Sequence, residues 1–241
     1  MSAVPGPSGW QAAPFLPWPT DISHVDAKWR AAQRLAGTAQ DGEVIGIGSG
    51  SSAYLSLWAI AERARDEGLS VKVATTSQET ELAASTLGLP LVRLGLGPLS
   101  WIVDGADEVD PAGRFLKGRG GALFKEKLLW SSCDRRFVVI DATKRVQRLG
   151  SRFPVPIEVH PNAIEHLVTF LQRNGSRDAS LRCGSGKDGP VITETGFLLV
   201  DAHFDEIPPG LHAEIKRLPG VLETGIFEGY QAELVEDGGH D

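Results

Sequence analysis

Short apolar runs alternate with longer mixed segments along most of the chain. Val44–Ile47, Val71–Ala74, Trp101–Val103 and Phe137–Ile140 are apolar at nearly every position, and Leu89–Leu94 carries a similar signal. Such runs mark strands buried on both faces. Between them, Asp26–Ala39, Ala53–Glu67, Glu79–Leu87 and Gly121–Trp130 have helical composition. Asp41-Gly42, Gly68 and Gly88 stop the first three of these helices. Strands alternating with helices predict a parallel α/β sheet.

The pattern changes near Phe153-Pro154-Val155-Pro156, which reads as a domain border. Beyond it come a strand at Ile157–Val159, a helix at Ala163–Arg173 and strands at Val191–Thr193 and Phe197–Val200. A helix near Leu211–Leu218 and a strand within Gly220–Phe227 complete a β-α-β-β-α-β order, which predicts a small ferredoxin-like α+β domain. The expected organisation is therefore a Pro-rich arm at 1–20, a Rossmann-like parallel-sheet domain at 21–152 and the small domain at 153–227. A strand within 228–241 is expected to return to the larger domain. The arm holds five of the fifteen prolines: Pro5, Pro7, Pro14, Pro17 and Pro19.

Composition narrows the function. The 241 residues carry 24 Lys+Arg and 31 Asp+Glu, a net charge of −7. That balance argues against a nucleic-acid binder or a partner of anionic membranes. No apolar run approaches the ~18 residues of a membrane helix. Two cysteines, Cys133 and Cys183, make neither a disulfide scaffold nor a zinc site by themselves. The simplest setting is a reduced cytoplasmic one. Glycine is in excess, at 28 residues.

Some of those glycines sit in chemically suggestive places. Gly46-Ile47-Gly48-Ser49-Gly50-Ser51-Ser52 lies between a strand and a helix. Backbone N–H groups and the positive end of the helix dipole favour an anion there, and three serines add hydroxyl donors. The segment has neither Gly-Lys-Ser/Thr nor a complete G-x-G-x-x-G. A structural turn with serine caps would read in the same way.

Asp104-Gly105-Ala106-Asp107-Glu108-Val109-Asp110 puts four acids in seven residues after a buried strand. The carboxyl end of a parallel strand is where α/β proteins place their sites. A solvated turn and a Mg²⁺ site are the alternatives. Lys117-Gly118-Arg119-Gly120-Gly121 is a close-approach loop, and Glu126 falls about one and a half turns into the helix that follows. Lys144 lies just beyond another strand. Each charged group alone reads as surface. Together they are the parts needed to enolise a sugar phosphate.

These segments resemble ribose-5-phosphate isomerase of the A type. The resemblance rests on Gly46–Ala53, Thr76–Pro90, Asp104–Pro111, Leu116–Lys127, Val139–Gly150, Pro154–Pro161 and Pro190–Gly229, in that order. It implies an aldose–ketose isomerase of the non-oxidative pentose phosphate pathway that interconverts ribose 5-phosphate and ribulose 5-phosphate through an enediolate. Glu126 would be the base and Lys117 would stabilise charge on oxygen. Asp104, supported by Asp107, would assist ring opening and proton movement on the hydroxyls. Lys28, Ser49, Gly50, Ser51, Ser52, Gly118, Arg119, Gly120 and Lys144 would contact the substrate. The resemblance also implies no metal, no organic cofactor and a homodimer or homotetramer. Departures include Arg119, where many members have glycine, and the Glu194-Thr195-Gly196-Phe197 turn. Gly95–Ser100 is also shortened. The competing expectations are another sugar-phosphate isomerase or deaminase on a related fold, and a non-catalytic sugar-phosphate-binding regulator.

Overall fold

Val44–Ile47, Lys72–Thr75, Trp101–Asp104 and Arg136–Val139 form β1, β2, β3 and β6, numbered along the chain. With β12 (Glu233–Val235) they build a five-stranded sheet in the order β12-β6-β3-β1-β2. Every neighbouring pair in it is parallel. The computed structural model describes residues 22–236, apart from 185 and 187. The Pro-rich arm therefore lies outside the described residues.

The chain divides into two compact units. The first comprises 22–105, 128–142 and 232–236 of the described residues. Its helices are α1 (Val25–Ala36), α2 (Gly50–Glu67) and α3 (Gln78–Thr86). Ala31, Ala32 and Ala36 of α1 share one core with Ala53, Ala61 and Ala64 of α2. Ile45, Ile47, Val73, Trp101, Val103 and Val139 supply the sheet's side of that core. Gly68 ends α2 in the left-handed region, its N–H bonded to the Ala64 carbonyl. The strand order reverses between β1 and β3, so the crevice beyond their carboxyl ends is this unit's topological switch point.

The second unit comprises 106–127 and 143–231. Its four-stranded antiparallel sheet has the order β10-β7-β9-β8. The strands are β7 (Val155–Val159), β8 (Ser176–Leu181), β9 (Leu198–Phe204) and β10 (Val221–Thr224). Helices α5 (Ile164–Arg173) and α6 (Leu211–Lys216) complete the ferredoxin-like β-α-β-β-α-β order. A smaller sheet joins β4 (Glu108–Val109), β5 (Phe115–Leu116) and β11 (Ile226–Phe227). The α/β class with a separate α+β sheet is thus present.

Several details differ from the sequence reading. A border at 152/153 would put 106–127 and 143–152 with the first sheet. The contacts group them with the second, because the β4–β5 hairpin pairs with β11. The second strand of the small sheet is Ser176–Leu181, not Val191–Thr193. It is an edge strand with a polar sequence, so it carries no apolar signal. Ile192 makes only an isolated bridge to Leu198. Leu89–Leu94 likewise contributes one bridge, Val73 to Leu91. Pro90, with no N–H to donate, only accepts from Val73. Helix α2 begins at Gly50, ahead of Ala53, and takes Ser51 and Ser52 into its first turn. No helix is long and apolar enough to cross a membrane among the described residues.

Candidate active site

In the first unit the glycine–serine segment follows β1. The Gly48 N–H donates to the Val103 carbonyl at 2.8 Å. A Cβ at position 48 would lie 2.0 Å from Asp104 Oδ1, so the turn and the end of β3 fit only with glycine there. Ser49 is extended, and Gly50 then turns the chain with φ +80°. The first turn of α2 holds no acidic residue to oppose an anion. The buried Lys28 ammonium donates to Ser23 O at 2.8 Å and Ser51 Oγ at 3.3 Å, and lies 3.7 Å from Asp141 Oδ2. Asp104 is fully buried. Its Oδ2 accepts from Trp130 Nε1 and its Oδ1 from the Gly105 N–H, both at 2.8 Å, which fixes the plane of the carboxylate.

In the second unit Lys117 follows β5, its N–H bonded to the Gly225 carbonyl. Gly118 then takes φ +97°, and a Cβ there would sit 2.9 Å from Leu123 Cβ. Helix α4 (Leu123–Ser131) begins so that Glu126 lies in its first turn, earlier than the sequence reading placed it. There the helix dipole favours a carboxylate. The loop and the helix start bring Lys117 Nζ to 3.2 Å from Glu126 Oε1, with both side chains 3% exposed. The Lys117 ammonium also lies 5.6 Å from the centre of the Phe227 ring.

Asp107 belongs to the same cluster. Burial raises its pKa above the ordinary carboxylate value, and the Glu126 charge adds to the rise. Lys117, Lys144 and the Arg119 N–H, 3.2 Å from Asp107 Oδ2, pull it back. Phe153 carries two cations, with Arg119 Cζ 5.3 Å and Lys144 Nζ 5.6 Å from its ring centre. A cavity of about 330 Å³ is lined by Asp107, Arg119, Phe153, Arg182 and Asp201 together with two prolines.

The glycine loop is held from the antiparallel sheet. Arg182 donates to Asp201 through Nε at 2.6 Å and Nη2 at 2.5 Å, and through Nη1 to the Arg119 carbonyl at 2.7 Å. Glu194 accepts from Lys125 at 3.3 Å, and its N–H donates to the Gly121 carbonyl. The divergent turn at 194–197 therefore supports this loop.

The expected residues thus fall into two sets. Lys28, Ser49, Gly50, Ser51, Ser52 and Asp104 lie in the first unit. Asp107, Lys117, Gly118, Arg119, Gly120, Glu126 and Lys144 lie in the second. Sequence reasoning missed Trp130, Asp141, Phe153 and Arg182. Asp141 had a usable signal, as a polar residue directly after a buried strand. Arg182 had none, since its partners are distant in the chain. No group of three or more His, Cys, Asp or Glu fit to hold a metal ion occurs among the described residues.

The family model described as ribose 5-phosphate isomerase A (phosphoriboisomerase A) matches residues 72–239. Ribose-5-phosphate isomerase A of Thermosynechococcus vestitus is 40% identical over 212 residues, covering 86% of this chain and 89% of that protein. The ribose 5-phosphate isomerase A structure from Methanocaldococcus jannaschii superposes with a TM-score of 0.84 at 35% identity, over 88% of this chain and 96% of that one. A D-ribose-5-phosphate isomerase solved in complex with phospho-erythronic acid gives 0.82 at 34% identity, over 89% and 95%. These matches define an aldose–ketose isomerase that acts on a sugar phosphate. The chain belongs to the ribose 5-phosphate isomerase A family, and it interconverts ribose 5-phosphate and ribulose 5-phosphate.

Proposed function

We propose that Glu126 is the base of this isomerisation, and the buried Lys117–Glu126 pair carries the reading. Desolvating two charges is costly, so such a pair is weak evidence for stability and better evidence for chemistry. On the open-chain aldose, the Glu126 carboxylate takes the proton from C2. The C1 carbonyl becomes an enediolate oxygen, which Lys117 stabilises. An ammonium has three N–H donors, enough to hold Glu126 and meet that oxygen. A proton passes between O1 and O2 with the help of Asp104 and Asp107. Glu126 returns its proton to C1, which leaves the ketose with no net gain or loss of atoms or electrons. Positioned acid–base groups typically contribute ~10²–10⁴-fold.

Ser49, Gly50, Ser51 and Ser52, at the positive end of α2, take the phosphate together with Lys28. Gly118, Arg119, Gly120 and Lys144 are the other substrate contacts of this reading. Phospho-erythronic acid is a ligand of this chain in the same reading. The enzyme serves the non-oxidative pentose phosphate pathway in the cytoplasm, as a homodimer or homotetramer, without a metal or organic cofactor.

The test is a coupled assay with ribose 5-phosphate on the purified wild type and Glu126→Gln, with and without a chelator. Turnover should survive the chelator and fall by at least ~10²-fold in the variant. Wild-type turnover in Glu126→Gln would overturn the base assignment. Activity abolished by the chelator would overturn the metal-free reading.

A further inference from the structure

We propose that Phe153 is a positioning residue whose ring holds Arg119 and Lys144 at the cavity beside Asp107, with Glu108 in turn holding Phe153. The inference rests on the reading that Arg119 and Lys144 meet the substrate.

Two cations close to one ring repel each other. An aromatic face attracts both, within the ~6 Å at which a cation senses the ring quadrupole. Here the distances are 5.3 Å for Arg119 and 5.6 Å for Lys144. Arg119 and Phe153 line the cavity with Asp107, and the Lys144 charge acts on Asp107. Long side chains lose rotamer freedom when a ligand fixes them. A ring that already holds them removes part of that loss before the anion arrives.

Phe153 is itself fixed by an unusual acceptor. The fully buried Glu108 carboxylate accepts from the N–H groups of Gly150 at 2.6 Å, Arg152 at 2.7 Å and Phe153 at 2.9 Å. Charge-assisted bonds of this kind are about twice as strong as neutral ones. The Val146 N–H also donates to the Val109 carbonyl, and Arg145 bridges to Val109. The segment following Lys144 and ending at Phe153 is thus stitched to β4, directly beside Asp107. The next residue is Pro154, which favours an extended backbone at Phe153.

The role predicts a binding defect that an aromatic replacement rescues. Phe153→Leu should weaken phospho-erythronic acid, measured by calorimetry, by roughly fivefold to tenfold. It should raise KM for ribose 5-phosphate similarly and change kcat by less than about twofold. Phe153→Tyr should bind as the wild type does. Glu108→Gln, which removes part of the acceptor but keeps the ring, should weaken binding in the same direction. Wild-type affinity in Phe153→Leu, or equal loss in Phe153→Tyr, would overturn the role of the ring. Wild-type affinity in Glu108→Gln would overturn the part given to Glu108. Lys144→Ala separates this from the underlying reading. If Lys144→Ala binds as the wild type does, the assignment of Lys144 to the substrate fails, and the inference with it. If Lys144→Ala weakens binding and Phe153→Leu does not, the inference alone fails.

Discussion

Gly48 and Asp104 occupy a space that admits no side chain at position 48. A Cβ there would stand 2.0 Å from Asp104 Oδ1 and 2.1 Å from its Cγ. Asp104 cannot easily yield, because Trp130 and the Gly105 N–H hold both of its oxygens. Gly48→Ala should therefore destabilise the protein by ~1–3 kcal/mol, the usual cost of overpacking. At ~2–4 °C per kcal/mol for a chain of this size, thermal unfolding would show the loss clearly. An unchanged melting temperature would mean that β1 and β3 separate freely at this point.

The Lys117–Glu126 pair predicts a split between stability and activity. Lys117→Met strands the Glu126 carboxylate in a buried site, which typically costs ~3–5 kcal/mol. Adding Glu126→Gln removes the stranded charge and should restore most of that stability. With Lys117 as the proposed oxyanion donor, activity should not return, since loss of one such donor typically costs ~10²–10³ in kcat. Chemical denaturation and steady-state kinetics on the single and double variants check both halves.

His212 predicts a pH dependence of stability. Burial lowers its pKa from 6.5 to about 4, helped by the nearby Lys127 charge. Its Nδ1 lies 2.8 Å from Thr224 Oγ1. Between pH 6.5 and 4 the unfolded chain binds this proton and the folded chain does not, so stability rises with pH across that window. The contribution is full above pH 6.5 and is lost as the pH falls towards 4. It is at most about 3 kcal/mol. The wild type should lose more stability than His212→Gln between pH 7 and pH 4.5. Parallel curves would show that the imidazole is not the group responsible.

Arg182 reaches the Arg119 carbonyl across 63 residues of sequence while paired with Asp201. Lysine cannot reproduce the planar fork. Arg182→Lys should lower kcat/KM by up to ~10²-fold through a misplaced glycine loop, without abolishing folding. Steady-state kinetics beside circular dichroism would test this.

The parallel sheet was legible because its strands are apolar on both faces and its helices end at glycines such as Gly68 and Gly88. β8 was not, because an edge strand reading Ser-Arg-Asp-Ala-Ser-Leu has nothing to bury on its open side. Within the site, Lys117 and Glu126 were legible as a lysine before a glycine-rich loop and a carboxylate in the helix after it, nine residues apart. It cannot show that Trp130 reaches Asp104, Arg182 reaches the glycine loop or Glu108 gathers three N–H groups. Those contacts depend on tertiary geometry, and the residues involved look like ordinary core or surface positions in the chain.

β12 pairs with β6 through Glu233 and Phe137, 96 residues apart (233 − 137). The whole segment 143–231 of the second unit is synthesised between them. On a ribosome, the β6 edge must therefore stay unpaired until the entire second unit has emerged. Until then it is an open edge of the kind that recruits strands from other chains. Nascent chains halted before residue 233 should be the species most dependent on chaperones.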